Sequence, residues 1–384
     1  MRLTDLGRSL AGKPARGAMG ALPFLLLAGA LGVWTGASNA GGGDAVPPGE
    51  TLRVASYNVQ FVTPDLPLLR HVLREWPGHK PNVTERAEAI AARLACFDIV
   101  ALQETINEQR RRELFHRLET AGRACGKPSR LWSGRMFAFV HGPGIEDGSW
   151  LPLVGDELAL ASRLPIVATG GHVYEHAAEA DILAAKGVLH VRLARSSDDV
   201  IDVFVTHLQA GDEHGQIRRR QIEELAAFLR ESADGAVDPI LVLGDFNVRG
   251  TLVDREDPAS DYNFLLRTLR AAVAPRPLVD SWLAVHVADP DAGSGTKPRL
   301  RADGTLRAHE ERIDYVFLAG VATAPRSMRL DFFASDLIVD GQPIGDLSDH
   351  AALMAEIWWP AGTASPDLVA SDPRDPGASS VPEP

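Results

Sequence analysis

The chain has 384 residues, 45% of them apolar and 23% charged, and a net charge of −12 at neutral pH. That apolar content is enough for one large domain or two smaller ones. A protein that grips nucleic acid mainly through phosphate contacts presents a basic stripe; the sequence shows none, although a local basic groove can hide in an acidic total.

In chain order, Arg2, Arg8, Lys13 and Arg16 form a positive region, residues 21–34 an apolar stretch, and Ala37, Ser38 and Ala40 a cleavage site. Residues 1–40 therefore read as an export signal, with an apolar core shorter than the roughly 20 residues of a spanning helix. A retained N-terminal anchor is the alternative. The expected destination is secretion or the periplasm. Residues 41–51 (GGGDAVPPG and its end) read as a linker, and the folded domain is expected over 52–360. Helices are predicted over 84–96, capped by Thr84, and over 107–121, 216–231 and 263–272. Strands are predicted over 98–104, 131–141, 157–162, 166–175, 186–194, 200–207, 240–244, 312–318, 328–334 and 352–359. Residues 361–384 are Pro, Asp, Ser and Ala with little to bury, and read as a disordered tail. Periodicity alone supports a mixed α+β domain. Cys96 and Cys125 each fall near the end of a predicted helix; in an exported protein they can pair, or stay as two buried thiols.

The strands share a second property. RVASYN stops at Asn58, IVALQE at Glu104, VFVTH at His207, and ILVLGDFN at Asp245 and Asn247; RIDY and LSDH then supply Asp314, Asp349 and His350. An unpaired buried carboxylate costs several kcal/mol. Glu104, Asp245, Asp314 and Asp349 recur at the ends of buried runs with no fixed basic neighbour, and a bound divalent cation solves that problem economically.

Taken in order, SYN (56–58), LQE (102–104), SRLPI (162–166), THLQ (206–209), GDFN (244–247), RIDY (312–315) and SDH (348–350) resemble the endonuclease/exonuclease/phosphatase superfamily. The resemblance spans 52 to about 359. It implies a four-layer αββα sandwich of two packed mixed sheets flanked by helices, and metal-dependent hydrolysis of phosphate esters. Three stretches narrow it. THLQAGDEHGQIRRRQIEEL (206–225), TERAEAIAARLACFDIVALQE (84–104) and DILAAKGVLHVRL (181–193) are similar to bacterial neutral sphingomyelinases, the last for its Asp181 and its Lys186–Gly187 five residues on.

The resemblance implies roles. Glu104 is expected to bind Mg²⁺, or another divalent cation such as Mn²⁺ or Co²⁺, with Asn58 close by and Asp349 taking a second ion or a water. His350 is expected as general base, oriented by Asp314, because an imidazole accepts a proton near neutral pH. Asp245 and Asn247 would orient the attacking water and bind phosphate. His207 would donate to a phosphate oxygen or protonate the leaving alcohol. Lys186 either contacts phosphate or clamps Asp181 structurally. Arg218, Arg219 and Arg220 share a predicted helix with Glu223 and Glu224, which suggests a solvated, salt-bridged face. Between the RIDY and SDH motifs, Phe332, Phe333, Leu337 and Ile338 either seat the protein at a lipid interface or form an ordinary strand.

The expected function is hydrolysis of a phospholipid head group, most simply sphingomyelin to ceramide and phosphocholine, by a monomer with peripheral membrane contact and no stable nucleic-acid partner. A Mg²⁺-dependent nuclease or another phosphoesterase is the alternative, and a non-catalytic binding protein on the same scaffold is a third.

Overall fold

The computed structural model describes residues 49–62, 83–143, 157–196, 199–233, 239–300, 306–320, 323–339 and 341–360. The export signal and the tail expected from 361 lie outside these residues. Residues 49–51, expected in the linker, are the start of a strand.

Sixteen strands are present among the described residues. The first sheet contains β1 (Gly49–Asn58), β2 (Ile99–Gln103), β3 (Ala138–Gly142), β4 (Leu158–Ser162), β13 (Ala324–Asp331) and β16 (Ala352–Pro360), in the order β13-β16-β1-β2-β4-β3. The second contains β5 (Ile166–Val173), β6 (Gly187–Ser196), β7 (Asp199–His207), β8 (Ile240–Asp245), β9 (Leu278–Asp280) and β12 (Asp314–Ala319), in the order β5-β6-β7-β8-β12-β9. Both sheets mix parallel and antiparallel pairs: β1 is parallel to β2 and β7 to β8, the remaining neighbours antiparallel.

Strand periodicity assigns the layers. Leu52, Val54, Ile99, Ala101, Val203, Val205, Leu241, Leu243, Val316 and Leu318 fill the space between the sheets. The intervening residues point outward. Ala55, Tyr57, Val100 and Leu102 pack with α1 (Val83–Leu94) and α2 (Glu108–Arg123). Phe204, Val242, Tyr315 and Phe317 pack with α3 (Gly215–Ser232) and, beyond the short α4 (Leu252–Glu256), α5 (Asp261–Val273). A last short helix, α6 (Ser281–Val285), starts on a cap formed by Asp280. The result is the expected αββα sandwich.

Because β2, β4, β8 and β12 are buried on both faces, their apolar runs are nearly continuous, as the sequence shows. Parity also sorts the polar strand tips. Asn58, His207, Asp245 and Asp314 share the parity of the inter-sheet core, so they emerge into the mouth between the sheets. Gly244 lets β8 end there: its φ is +142°, and a Cβ would lie 2.0 Å from the Thr206 carbonyl oxygen.

Far from that mouth, Cys96 and Cys125 form a disulfide with a Cα–Cα distance of 5.5 Å, so the paired alternative holds. It joins the ends of α1 and α2. Arg163, of the SRLPI motif, caps the same ends. Its guanidinium donates to the carbonyls of Ala95 (2.6 Å), Gly122 (3.1 Å) and Phe97 (3.2 Å).

Several expectations need correction. Thr84 sits inside the first turn of α1 and accepts from Arg110 instead of capping the helix. Residues 131–137 are turn and loop; the strand predicted over 131–141 begins at Ala138. The Arg218–Arg220 face is not a solvated ladder with Glu223 and Glu224. Arg218 is buried and donates to the carbonyls of Gln209 and Gly211, while Arg219 pairs with Asp261 at 2.7 Å and lies over Phe264. Glu224 instead receives His172, His176 and the Glu175 amide. Neither the exposed aromatic pair nor a plain sheet strand describes 332–338. β14 (Ala334–Val339) and β15 (Gln342–Asp346) form a separate hairpin, and Phe333 turns inward, 3% exposed, edge-on to Tyr57. Of Phe332, Phe333, Leu337 and Ile338, only Ile338 is well exposed. A second hairpin, β10 (Lys297–Leu300) with β11 (Leu306–Glu311), leads into β12.

Candidate active site

The ten residues singled out from the sequence all fall in or beside one cluster at the open end of the sandwich. Register explains the core of it. His207 is paired with Asp245 across β7 and β8, and Asp314 with Asp245 across β8 and β12, so three functional side chains stand in one row. The first sheet faces that row with Asn58 and Glu104. Asn58 Nδ2 donates to Glu104 Oε1 at 2.8 Å and to Asp245 Oδ2 at 3.2 Å, joining the two sheets.

Asp245 is the hub. Its Oδ2 is also 3.4 Å from His207 Nε2 and 3.6 Å from His350 Nε2. Burial works against its charge, but the neighbouring His350, His207, Lys297 and Lys186 outweigh burial and hold the carboxyl down at about 2. Glu104 follows β2 with φ +57°, a left-handed conformation costly for a non-glycine residue. The flanking backbone fixes it: Phe61 N–H donates to its carbonyl, and Thr105 N–H to Glu157. Asn247 has φ +49°; its amide donates to the Leu208 carbonyl at 2.9 Å, and its backbone N–H to Asp245 Oδ1 at 3.0 Å.

His350 is fully buried. Its Nδ1 donates to Asp314 Oδ2 at 2.9 Å, while Nε2 has no hydrogen-bond partner and faces Asp245. Burial and Lys297 disfavour the charged ring, but Asp314, Asp245 and Asp349 outweigh them and raise it to about 9. Without a further cation, the imidazole therefore carries its proton at neutral pH and is not the ready acceptor expected from an ordinary histidine.

Lys186 forms the structural clamp that was one of its two alternatives. Its Nζ is 2.9 Å from Asp181 Oδ2, 2.9 Å from the Leu208 carbonyl and 3.1 Å from His207 Nε2. It is a clamp, and its ammonium also lies in the site. Asp181 further accepts from the Ala210 N–H.

Two acidic groups depart from the sequence reading. Glu157, which that reading missed, is buried at the start of β4 and receives His207 Nδ1, so both histidines are backed by a carboxylate. Its only sequence signal is an acid heading the apolar run ELALAS. Asp349, expected to take an ion or a water, faces the Lys297 ammonium of this chain at 3.5 Å.

The donors fit a hard divalent cation. One ligand atom each from Glu104, His207 and Asp245 lie within 4.8 Å of one another, as do atoms of Asp245, Asp314 and His350. Among the described residues, no Lys or Arg forms an ion pair with Glu104 or Asp245. Carboxylate oxygens with room for water are what Mg²⁺ prefers. Asn58 is a correction. Its carbonyl oxygen accepts from Gln60 N–H at 3.1 Å, so the amide presents N–H rather than oxygen to the two carboxylates and positions them.

The description of the endonuclease/exonuclease/phosphatase family matches residues 55–350. A sphingomyelinase of Dictyostelium discoideum is 27% identical over 203 residues, 45% of this chain and 41% of that protein, so the chain spans less than half the length of this relative. The crystal structure of sphingomyelinase C from Streptomyces griseocarneus superposes with a TM-score of 0.51 at 20% identity, over 80% of this chain and 99% of that one. D. rerio TDP2 complexed with a single-strand DNA product superposes with a TM-score of 0.52 at 16% identity, over 80% of this chain and 98% of that one. At these identities the structural likeness is one of fold. The family match covers most of the chain, and the chain belongs to the endonuclease/exonuclease/phosphatase family.

Proposed function

We propose that this protein is a metal-dependent phosphodiesterase that hydrolyses a phospholipid head group, sphingomyelin to ceramide and phosphocholine, after export. The observation that carries the substrate class is the Asp181–Lys186 pair: it places an ammonium 3.1 Å from His207 Nε2, and it belongs to the stretch that resembles neutral sphingomyelinases. The sphingomyelinase relative supports the same reading.

Glu104 and Asp245 would hold the divalent cation, which when bound polarises a phosphoryl oxygen and stabilises negative charge in the transition state. Asp314 holds His350 Nδ1–H, fixing the tautomer so that Nε2 faces the reacting centre. His350, in its neutral form, takes a proton from the attacking water at Nε2. Asn247 and Asp245 orient that water. His207, backed by Glu157, and Lys186 face the phosphate together, and the proton for the leaving alcohol comes from this side. His207, Asp245, Asp314 and His350 are themselves nearly fully buried, which strengthens their mutual interactions.

A nuclease remains the second reading, since a DNA-bound structure shares the fold. The test is purified protein with Mg²⁺ against sphingomyelin, phosphatidylcholine, plasmid DNA and inositol phosphates. Phosphocholine release from sphingomyelin is the expected result. Rapid cutting of DNA without phosphocholine release would reverse the assignment.

A further inference from the structure

Lys297 is held among the acids by a frame independent of its own charge. The residue before it, Thr296, is 1% exposed. Its N–H donates to the Glu311 carbonyl at 2.8 Å, and its own carbonyl accepts from Ala351 N–H at 2.8 Å. Its hydroxyl oxygen accepts from the N–H groups of Ile313 and Asp314, each at 3.2 Å. Thr296 is thus stitched to the segment that carries Asp314 and to the residue after His350. The next side chain is delivered to a set position beside the acid–base pair.

The Lys297 ammonium stands 3.5 Å from Asp349 Oδ2, with the side chain about a third exposed. Burial opposes its charge, and Asp349, Asp245, Glu104 and Asp314 outweigh burial in that order. An ammonium has three donors, and this long ion pair leaves most of that capacity unused. It is a fixed positive charge on the Asp349 side of the cluster, where the sequence suggested a second ion.

We propose that Lys297 binds a non-bridging oxygen of the substrate phosphodiester, serving as a second positive charge of the site beside the one that a divalent ion held by Glu104 and Asp245 would supply. The proposal rests on the phosphodiesterase reading. Lys297 donates a hydrogen bond and moves no proton; its charge supports the oxygen on which negative charge accumulates.

The test uses the full chain as wild type, Lys297→Met and Lys297→Arg. Inorganic phosphate is titrated into the Mg²⁺-loaded protein by calorimetry, and Mn²⁺ binding is followed by electron paramagnetic resonance without phosphate. Loss of a charge-assisted hydrogen bond predicts phosphate affinity roughly 10–100-fold lower in Lys297→Met, with most of it regained in Lys297→Arg. Mn²⁺ affinity stays equal or rises, because a like charge has gone. Hydrolysis of p-nitrophenylphosphorylcholine falls in parallel with phosphate affinity. Phosphate affinity within about threefold of wild type in Lys297→Met, or a matching loss of Mn²⁺ affinity, overturns the proposal. Should Lys297→Met fail to fold, Lys297→Gln carries the same comparison. If the wild type cleaves no diester, the functional reading fails, and the phosphate titration still decides the role of Lys297.

Discussion

The charge state of His350 makes the sharpest test of the site. In the metal-free protein the ring titrates at about 9, against about 6.5 in an unfolded chain. A group whose folded value is raised contributes stability that is fully present below the unfolded value and is lost as pH rises through the folded one. The gap corresponds to about 3 kcal/mol, delivered below pH 6.5 and gone above pH 9. The ring is fully buried, so solvent screening takes little from this figure. The perturbation is His350→Gln, which keeps a polar group of similar size and removes the titration. Urea unfolding in EDTA at pH 6, 7.5 and 9.5 measures both proteins. Wild type should lose about 3 kcal/mol more than His350→Gln across that range. Parallel losses in the two proteins would refute the reasoning, and with it the claim that Asp314, Asp245 and Asp349 jointly hold the imidazole charged. The same logic ties base to metal: a cation bound at Asp245 would offset one of the three charges that hold the ring protonated and would lower the pH at which it accepts a proton.

Three further outcomes are expected. His350→Ala should lower turnover by roughly 10²–10⁴-fold with the circular dichroism spectrum unchanged, and near-normal turnover would remove it as the base. EDTA should stop hydrolysis and Mg²⁺ restore it, whereas Glu104→Gln should weaken Mn²⁺ binding by about tenfold or more in a calorimetric titration. Replacing Cys96 and Cys125 together by Ser should cost roughly 3–4 kcal/mol in urea unfolding, from the loop their bond closes, with kcat/KM unchanged.

The strands and the site were legible together, for one physical reason. A strand buried on both faces must be apolar along its length, so a polar residue at its tip stands out. Parity then places that residue between the sheets, as it does for Asn58, His207, Asp245 and Asp314. What the sequence concealed came from segments without that contrast. Lys297 sits in a polar stretch, GSGTKP, and reaches the site only because Thr296 is tied to Asp314 and Ala351. Arg218 looked solvated from its charged helix, yet the carbonyls of Gln209 and Gly211 satisfy it in a buried position. Phe333 fits both a lipid-facing pair and an ordinary strand by sequence, and only the turn before β14, with φ +50°, folds it onto Tyr57. Two of the carboxylates that set the charge of His350, Asp245 and Asp314, lie far from it in the chain, so its neighbour Asp349 alone does not signal a raised titration.

The cross-link and Arg163 sit at the beginning of β2, and Glu104 at its other end. Five extended residues, about 17 Å, separate them. One pole of the sandwich therefore carries the fastening and the opposite pole the chemistry. Loops around the reactive pole can lengthen, shorten or change composition while the anchorage stays intact, which gives a single scaffold a route to new substrates without relearning how to fold.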